Sequence, residues 1–431
     1  MSVTAFILFT ILGVCLALRV PISVCLGVSA LVANAHSRQI GIRYMVQSMT
    51  MALDSFPLLA VPFFVLAGEL MGSGGISRRL LAAANAFFGN IVGGIAIVTV
   101  VACCIFAAIS GSGPATVAAI GGVVVPEMLR QGYDKRFTAC LIASAGGIGI
   151  IIPPSIPMVV YGVSAGQSVA DLFLAGIVPG ILIGLLLIAY SYWFSRVHKY
   201  PRIEIPKSTF RAALISLWDG KWALFMPGLI LGGIYGGIFT PTEAATVAVI
   251  YGFLVGKFIY KDLEWRELPI LIGRSAITSA TVLIIISMAT AFGRVLSINR
   301  IPAYIAEAIT GASQNSMIVI VLIMLLLLIV GCFLDAISAI IILSPILLPI
   351  VTRLGINPIH FGIVMIVNLA IGLVTPPLGV NLFVASSITD TSFDKLAKSI
   401  WVWVGVMLAA LALIILFPSF SLGLVQFIRS W

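Results

Sequence analysis

Two short stretches of this sequence gather oxygen-bearing side chains inside long apolar runs. The first is SGSGPAT, which carries Ser110, Ser112 and Thr116 among glycines; the second is LDAIS, which carries Asp335 and Ser338. Two proline pairs accompany them: Pro153 and Pro154 in IIPPSIP, and Pro376 and Pro377 in VTPPLGVN, the latter flanked by Thr375 and Asn381. Proline has no backbone N–H and restricts the residue before it, so each pair interrupts a helix and frees carbonyl oxygens. Hydroxyls, carbonyls and a carboxylate are the ligands a hard cation such as sodium prefers, and half-helix C-termini add negative dipole. Two cation sites are therefore expected, built from Ser110, Ser112 and Thr116 and from Asp335, Ser338, Thr375 and Asn381. The competing structural roles are hydroxyls bonded to the carbonyl one turn back, and Asp335 as a helix N-cap.

These stretches lie in a chain that cannot be a soluble globule. Of 431 residues, 61% are hydrophobic and 9% charged, against roughly 25% charged in soluble proteins, and the mean hydropathy is +1.19. The expected fold class is an all-α polytopic membrane protein. Apolar segments recur at roughly 4–18, 20–34, 56–71, 91–109, 137–152, 172–195, 222–239, 243–260, 268–292, 316–334, 360–374 and 400–417, enough for about eleven or twelve spans. The N-terminal segment lacks a basic flank and a small-residue cleavage site, so it is expected to remain as the first helix.

The formal net charge of +9 fits basic residues that orient a membrane chain and does not call for nucleic acid. The strongly polar connector, 196–221, carries six Lys or Arg against Glu204 and Asp219, which assigns it to the cytoplasm and divides the chain into 1–195 and 222–431. Between Arg79 and Glu127 no residue is charged. As one helix that run would reach about 70 Å, more than twice the hydrocarbon thickness, so it must fold back. Its break is at 110–116, the tip of a re-entrant hairpin; the matching tip in the second half is near 331–338. The interrupted helices break near 152–157 and 375–381.

The two halves align at a fixed offset of 223 without a gap. Pro126 meets Pro349, Arg130 meets Arg353, Gly149 meets Gly372, the proline pairs coincide, Asp171 meets Asp394, and Ser112 meets Asp335. An internal repeat is expected, as in repeat-built transporters. Asp54, Glu69 and Glu243 read as structural, Asp54 and Glu243 as helix caps and Glu69 at an interface. The three histidines are isolated, and the six cysteines lie in apolar stretches without a CxxC pair. No nucleophile elbow, Walker loop or HExxH motif is present, so no enzyme and no cofactor is expected. An intramembrane enzyme built on Asp335 would lack a second carboxylate, because Ser112 stands at the equivalent tip.

At DSFPLLAVPFFVLAGELM, SGSGPATVAAIGGVVVPEM, GIGIIIPPSIPMVVYG, GIFTPTEAA and NLAIGLVTPPLGVNLFVAS, the chain closely resembles the large membrane subunit of the tripartite ATP-independent periplasmic (TRAP) transporters, over essentially its whole length. The resemblance implies two inverted repeats, each with a re-entrant hairpin and an interrupted helix, in an elevator-type carrier of the ion-transporter superfamily in the bacterial inner membrane. It implies sodium as the coupling ion. It also implies two partners, a small four-helix membrane subunit, separate from this chain, and a periplasmic substrate-binding protein. The cargo would be an organic acid such as a C4-dicarboxylate, sialic acid or a sugar acid. Carried over by motif, the sodium ligands would be Ser110, Ser112, Asp335, Ser338 and Thr375. The substrate would lie between the tips against Ser155, Asn381 and half-helix N-termini. The alternative is a self-contained ion-coupled carrier that needs no binding protein.

Overall fold

The computed structural model describes residues 3–18, 20–200, 210–302, 304 and 316–430, and among these there are helices and no strand. The chain opens with α1 (Val3–Ala17), α2 (Ile22–Ser37) and α3 (Ile42–Leu53), then α4 (Ala60–Ser73) and α5 (Ile76–Phe88). A hairpin of α6 (Gly94–Ser110) and α7 (Gly113–Arg130) follows, then a helix broken into α8 (Lys135–Gly147) and α9 (Ile156–Ala165), then the long α10 (Val169–Val197). Next come α11 (Phe210–Tyr235), α12 (Pro241–Leu254, prolonged by a π turn) and α13 (Leu268–Ile298). The second hairpin is α14 (Ser316–Phe333) with α15 (Ala336–Arg353), and the second broken helix is α16 (Pro358–Gly372) with α17 (Val380–Thr389). The chain closes with α18 (Phe393–Ser399), α19 (Trp401–Leu416) and α20 (Ser419–Arg429).

The helix boundaries follow local chemistry. Ser112 and Asp335 are the N-caps of α7 and α15, and both helices are 18 residues long, so the offset of 223 maps one onto the other end to end. Asp134 and Asn357, again 223 apart, cap α8 and α16, each accepting two backbone N–H bonds, an interaction worth about 1 kcal/mol. Between α6 and α7 the chain reverses at Gly111, whose positive φ of 59° suits glycine, and a Cβ there would come within 2.8 Å of the Pro154 carbonyl oxygen. Both Pro–Pro bonds, 153–154 and 376–377, are cis.

Packing places the breaks in the centre. Every residue of α8 from Phe137 and of α16 from Ile359 to its end is buried, the pattern of a helix enclosed on all sides. The hairpin arms cross between halves: α7 packs on α17, and α15 packs on α9. Around this centre α2, α3 and α4 pack along α13, α12 packs on α4, and α11 on α5. At one end Arg79 pairs with Asp262 at 2.5 Å and lies 3.8 Å over the Tyr260 ring, while the Tyr260 hydroxyl accepts from Ala223 N–H. The start of the second half and the loop near 257–266 therefore share one face.

Among the described residues five helices, or six if α18 and α19 form one span bent by 47°, are long and apolar enough to cross a bilayer alone, and further apolar helices, α1, α2, α6, α9, α16 and α17 among them, run to 10–17 residues. Helix enters both ends of the 196–221 connector, α10 persisting to Val197 and α11 beginning at Phe210; 201–209 lie outside the described residues. Two expectations about caps are corrected: Asp54 is the C-cap of α3, its backbone N–H donating to the Met51 carbonyl, and does not cap the turn that follows, and Thr240 rather than Glu243 is the N-cap of α12, with Glu243 completing a capping box.

Close approach between backbones fixes the second hairpin to its broken helix. A Cβ on Gly372 would fall 2.5 Å from the Gly331 carbonyl carbon, so Gly372→Ala must part α14 from α16. We expect it to destabilise the protein by about 1–3 kcal/mol, read as a lowered apparent melting temperature in detergent.

Candidate functional site

The first hairpin tip is an oxygen cluster. Ser110 Oγ lies 2.8 Å from Thr116 Oγ1, and the Thr116 hydroxyl donates to the Ser112 carbonyl at 2.8 Å. Ser110 Oγ also lies 3.3 Å from that carbonyl. Ser110 and Thr116 are buried, whereas the Ser112 side chain is half-buried and makes no capping bond to its own helix. The break between α8 and α9 closes over them: a Cβ on Gly149 would be 2.5 Å from the Ser112 carbonyl oxygen and 2.6 Å from Thr116 Oγ1. The three residues read from the sequence are thus brought together.

Asn381, from the other half of the chain, reaches the same tip. Its Nδ2 donates to the Ala143 carbonyl at 3.2 Å, its backbone N–H donates to Leu373, and its amide faces Gly113. Because Ala143 needs a donor, Oδ1 points the other way, where it is buried without a hydrogen-bond partner. Leaving such an acceptor unsatisfied costs about 1–3 kcal/mol. Asn381 Oδ1 is thus an unpartnered oxygen beside Gly113, next in the chain to Ser112, whose carbonyl already accepts from the Thr116 N–H and hydroxyl.

The second tip is organised differently. Asp335 caps α15, one carboxylate oxygen accepting from Ser338 N–H at 3.1 Å and the other from the Ser338 hydroxyl. Each carboxylate oxygen keeps a further lone pair. Thr375 is buried and donates to Ile371 at 2.7 Å, and it makes no hydrogen bond to Asp335 or Ser338. Pro376 is half-buried and Pro377 exposed, whereas Pro153 and Pro154 are buried; one break is sealed and the other open. Ser155, expected to touch substrate, is fully buried and uses its hydroxyl across the break, donating to Ile150 at 2.6 Å while capping α9.

A cavity of about 420 Å³ opens beside the first tip, lined by Ser110, Ser112 and Ala115 on the hairpin and by Glu69, Arg274 and Thr278 on α4 and α13. Sequence reasoning missed Arg274, although it is a charge inside an apolar segment, and placed Glu69 at an interface where the structure gives it a cavity wall.

The chain matches the family model described as "Tripartite ATP-independent periplasmic transporter, DctM component" over residues 9–420. It is 46% identical over 413 residues to the isethionate TRAP transporter permease protein DctMQ of Oleidesulfovibrio alaskensis, covering 96% of this chain and 65% of that protein, just under two thirds of the relative's length. It is 43% identical to the C4-dicarboxylate TRAP transporter large permease protein DctM of Pseudomonas aeruginosa, covering 86% of each, and 35% identical to the sialic acid TRAP transporter large permease protein SiaM of Vibrio cholerae, covering 89% of each. Among solved structures it resembles the YdaH transporter of Alcanivorax borkumensis, with a TM-score of 0.56 at 14% identity over 87% of this chain and 88% of that one; that likeness concerns the fold.

Proposed function

This chain belongs to the tripartite ATP-independent periplasmic transporter family as its DctM component, a multi-pass transport permease and not an enzyme, and we propose that it carries a small organic acid inward in symport with sodium. The observation that supports this reading most directly is the first tip, where the oxygens of Ser110, Thr116 and the Ser112 carbonyl cluster and Asn381, with its Oδ1 unpartnered, packs against the adjoining Gly113. Asp335, Ser338 and Thr375 would form the second sodium site. Relatives named for isethionate, C4-dicarboxylate and sialic acid support a carboxylate or sulfonate as the cargo. A periplasmic binding protein would deliver it, and a small four-helix subunit would flank the permease in the inner membrane.

We further infer that the crossed hairpins and broken helices form two inverted repeats that move together as an elevator against a scaffold containing α2, α4, α12 and α13. The equal helix lengths at the offset of 223 and the reciprocal packing of α7 on α17 and α15 on α9 support this. Two sodium ions entering down tenfold gradients with one monovalent acid would supply roughly 5 kcal/mol at 100 mV, without ATP.

The test is uptake of succinate, isethionate or sialic acid into proteoliposomes with and without a sodium gradient and a cognate binding protein. We expect uptake to need both, and Ser110→Ala with Thr116→Ala to raise the half-activating sodium concentration about tenfold. Uptake indifferent to sodium would reject the coupling. Full-rate uptake of free substrate would favour the self-contained carrier.

A further inference from the structure

The helix α13 carries two arginines, Arg274 and Arg294, twenty positions and so about 30 Å apart along the axis. Both sit toward the ends of a segment apolar enough to span a bilayer, where a long side chain can carry its charge to the interface, so what each lines decides its role. Arg294 lies 6.0 Å over the Tyr44 ring and lines a separate cavity with Ser55, Thr290 and Ser297. Neither arginine makes an ion pair among the described residues; Arg274, an exposed residue, differs in lining the cavity that reaches Ser110 and Ser112. Glu69 shares that cavity but stays beyond ion-pair distance.

We propose that Arg274 is an anion-attracting station in the wall facing the first hairpin tip, a binding residue for the carboxylate or sulfonate of the cargo as it passes between the tip and the membrane face near Leu268. The proposal rests on the organic-acid reading above. A guanidinium fits this task because it stays charged and offers a planar fork of donors that matches a carboxylate or sulfonate. A cavity walled by low-dielectric side chains focuses its field on whatever enters. Glu69, on α4, which packs on α13, lines the same cavity and tempers that field.

The test needs neither cargo nor sodium. A cysteine is placed at Ala115, an exposed residue of the same cavity, in a background with the six native cysteines replaced. Its labelling rates are compared for two methanethiosulfonates, the anionic sulfonatoethyl and the cationic trimethylammonioethyl reagent, in membranes open to both sides. We expect Arg274→Gln to lower the ratio of anionic to cationic rates about fivefold or more, Arg274→Lys to retain most of it, Glu69→Gln to raise it, and Arg294→Gln to leave it unchanged. A ratio indifferent to Arg274→Gln would overturn the proposal, as for a guanidinium turned to lipid headgroups, and so would a thiol that neither reagent reaches. Either failure leaves sodium coupling standing, since that is read from uptake.

Discussion

In the proposed sodium symport, Asp335→Asn is expected to lower the apparent sodium affinity of uptake by about 30- to 100-fold, the loss of about 2–3 kcal/mol that follows if a charged ligand becomes neutral, while leaving the fold intact. The reason for choosing asparagine is the geometry of the cap. Asp335 accepts from Ser338 N–H at the start of α15, and asparagine caps a helix as well as aspartate does. The substitution therefore removes the negative charge and keeps the turn. Asp335→Ala removes both, and we expect it to add about 1 kcal/mol of destabilisation. Sodium titrations of uptake, set against melting in detergent, separate the two effects. An Asp335→Asn variant with unaltered sodium activation would make the carboxylate a cap alone.

Gly149→Ala is the second large effect, and it acts by volume instead of charge. The added methyl would stand 2.5 Å from the Ser112 carbonyl oxygen and 2.6 Å from Thr116 Oγ1, inside the oxygen cluster itself. Backbone on one side and a buried hydroxyl on the other leave little room to yield. We expect the half-activating sodium concentration to rise at least about 30-fold, with about 1–3 kcal/mol lost to overpacking. Gly122→Ala serves as the control, because a Cβ there meets nothing within 4 Å. Equal sodium activation in the two variants would remove the first tip from the coupling mechanism.

Much of this arrangement is legible in the sequence because it breaks rules that apolar helices otherwise obey. Glycine, serine and paired prolines inside uncharged runs mark 110–116, 153–154 and 376–377 without help from the structure, and the offset of 223 pairs Ser112 with Asp335, which the structure makes equivalent N-caps. What stays hidden is which polar atoms remain free. Ser155 and Asn381 look alike as polar residues near a break, yet Ser155 is consumed by its own helix turn, while Asn381 crosses to the other half and leaves an oxygen unpartnered. Such differences depend on contacts between residues more than 200 positions apart. Arg274 was overlooked for a related reason: hydropathy averages a single charge away in a segment as apolar as α13. That helix resumes at Phe210, within the connector, is likewise hidden, because charge says where a loop sits but not where a helix resumes.

The crossed packing of α7 on α17 and α15 on α9 means that neither tip can tighten alone. In the proposed carrier, an ion drawing in the first hairpin would also pull on α17, which packs on α7 and carries Asn381, and stiffening there would reduce the entropy a second ion must still remove. In the proposed carrier the two binding events would be positively cooperative, so partial occupancy is disfavoured and the rise of transport with sodium is sigmoidal.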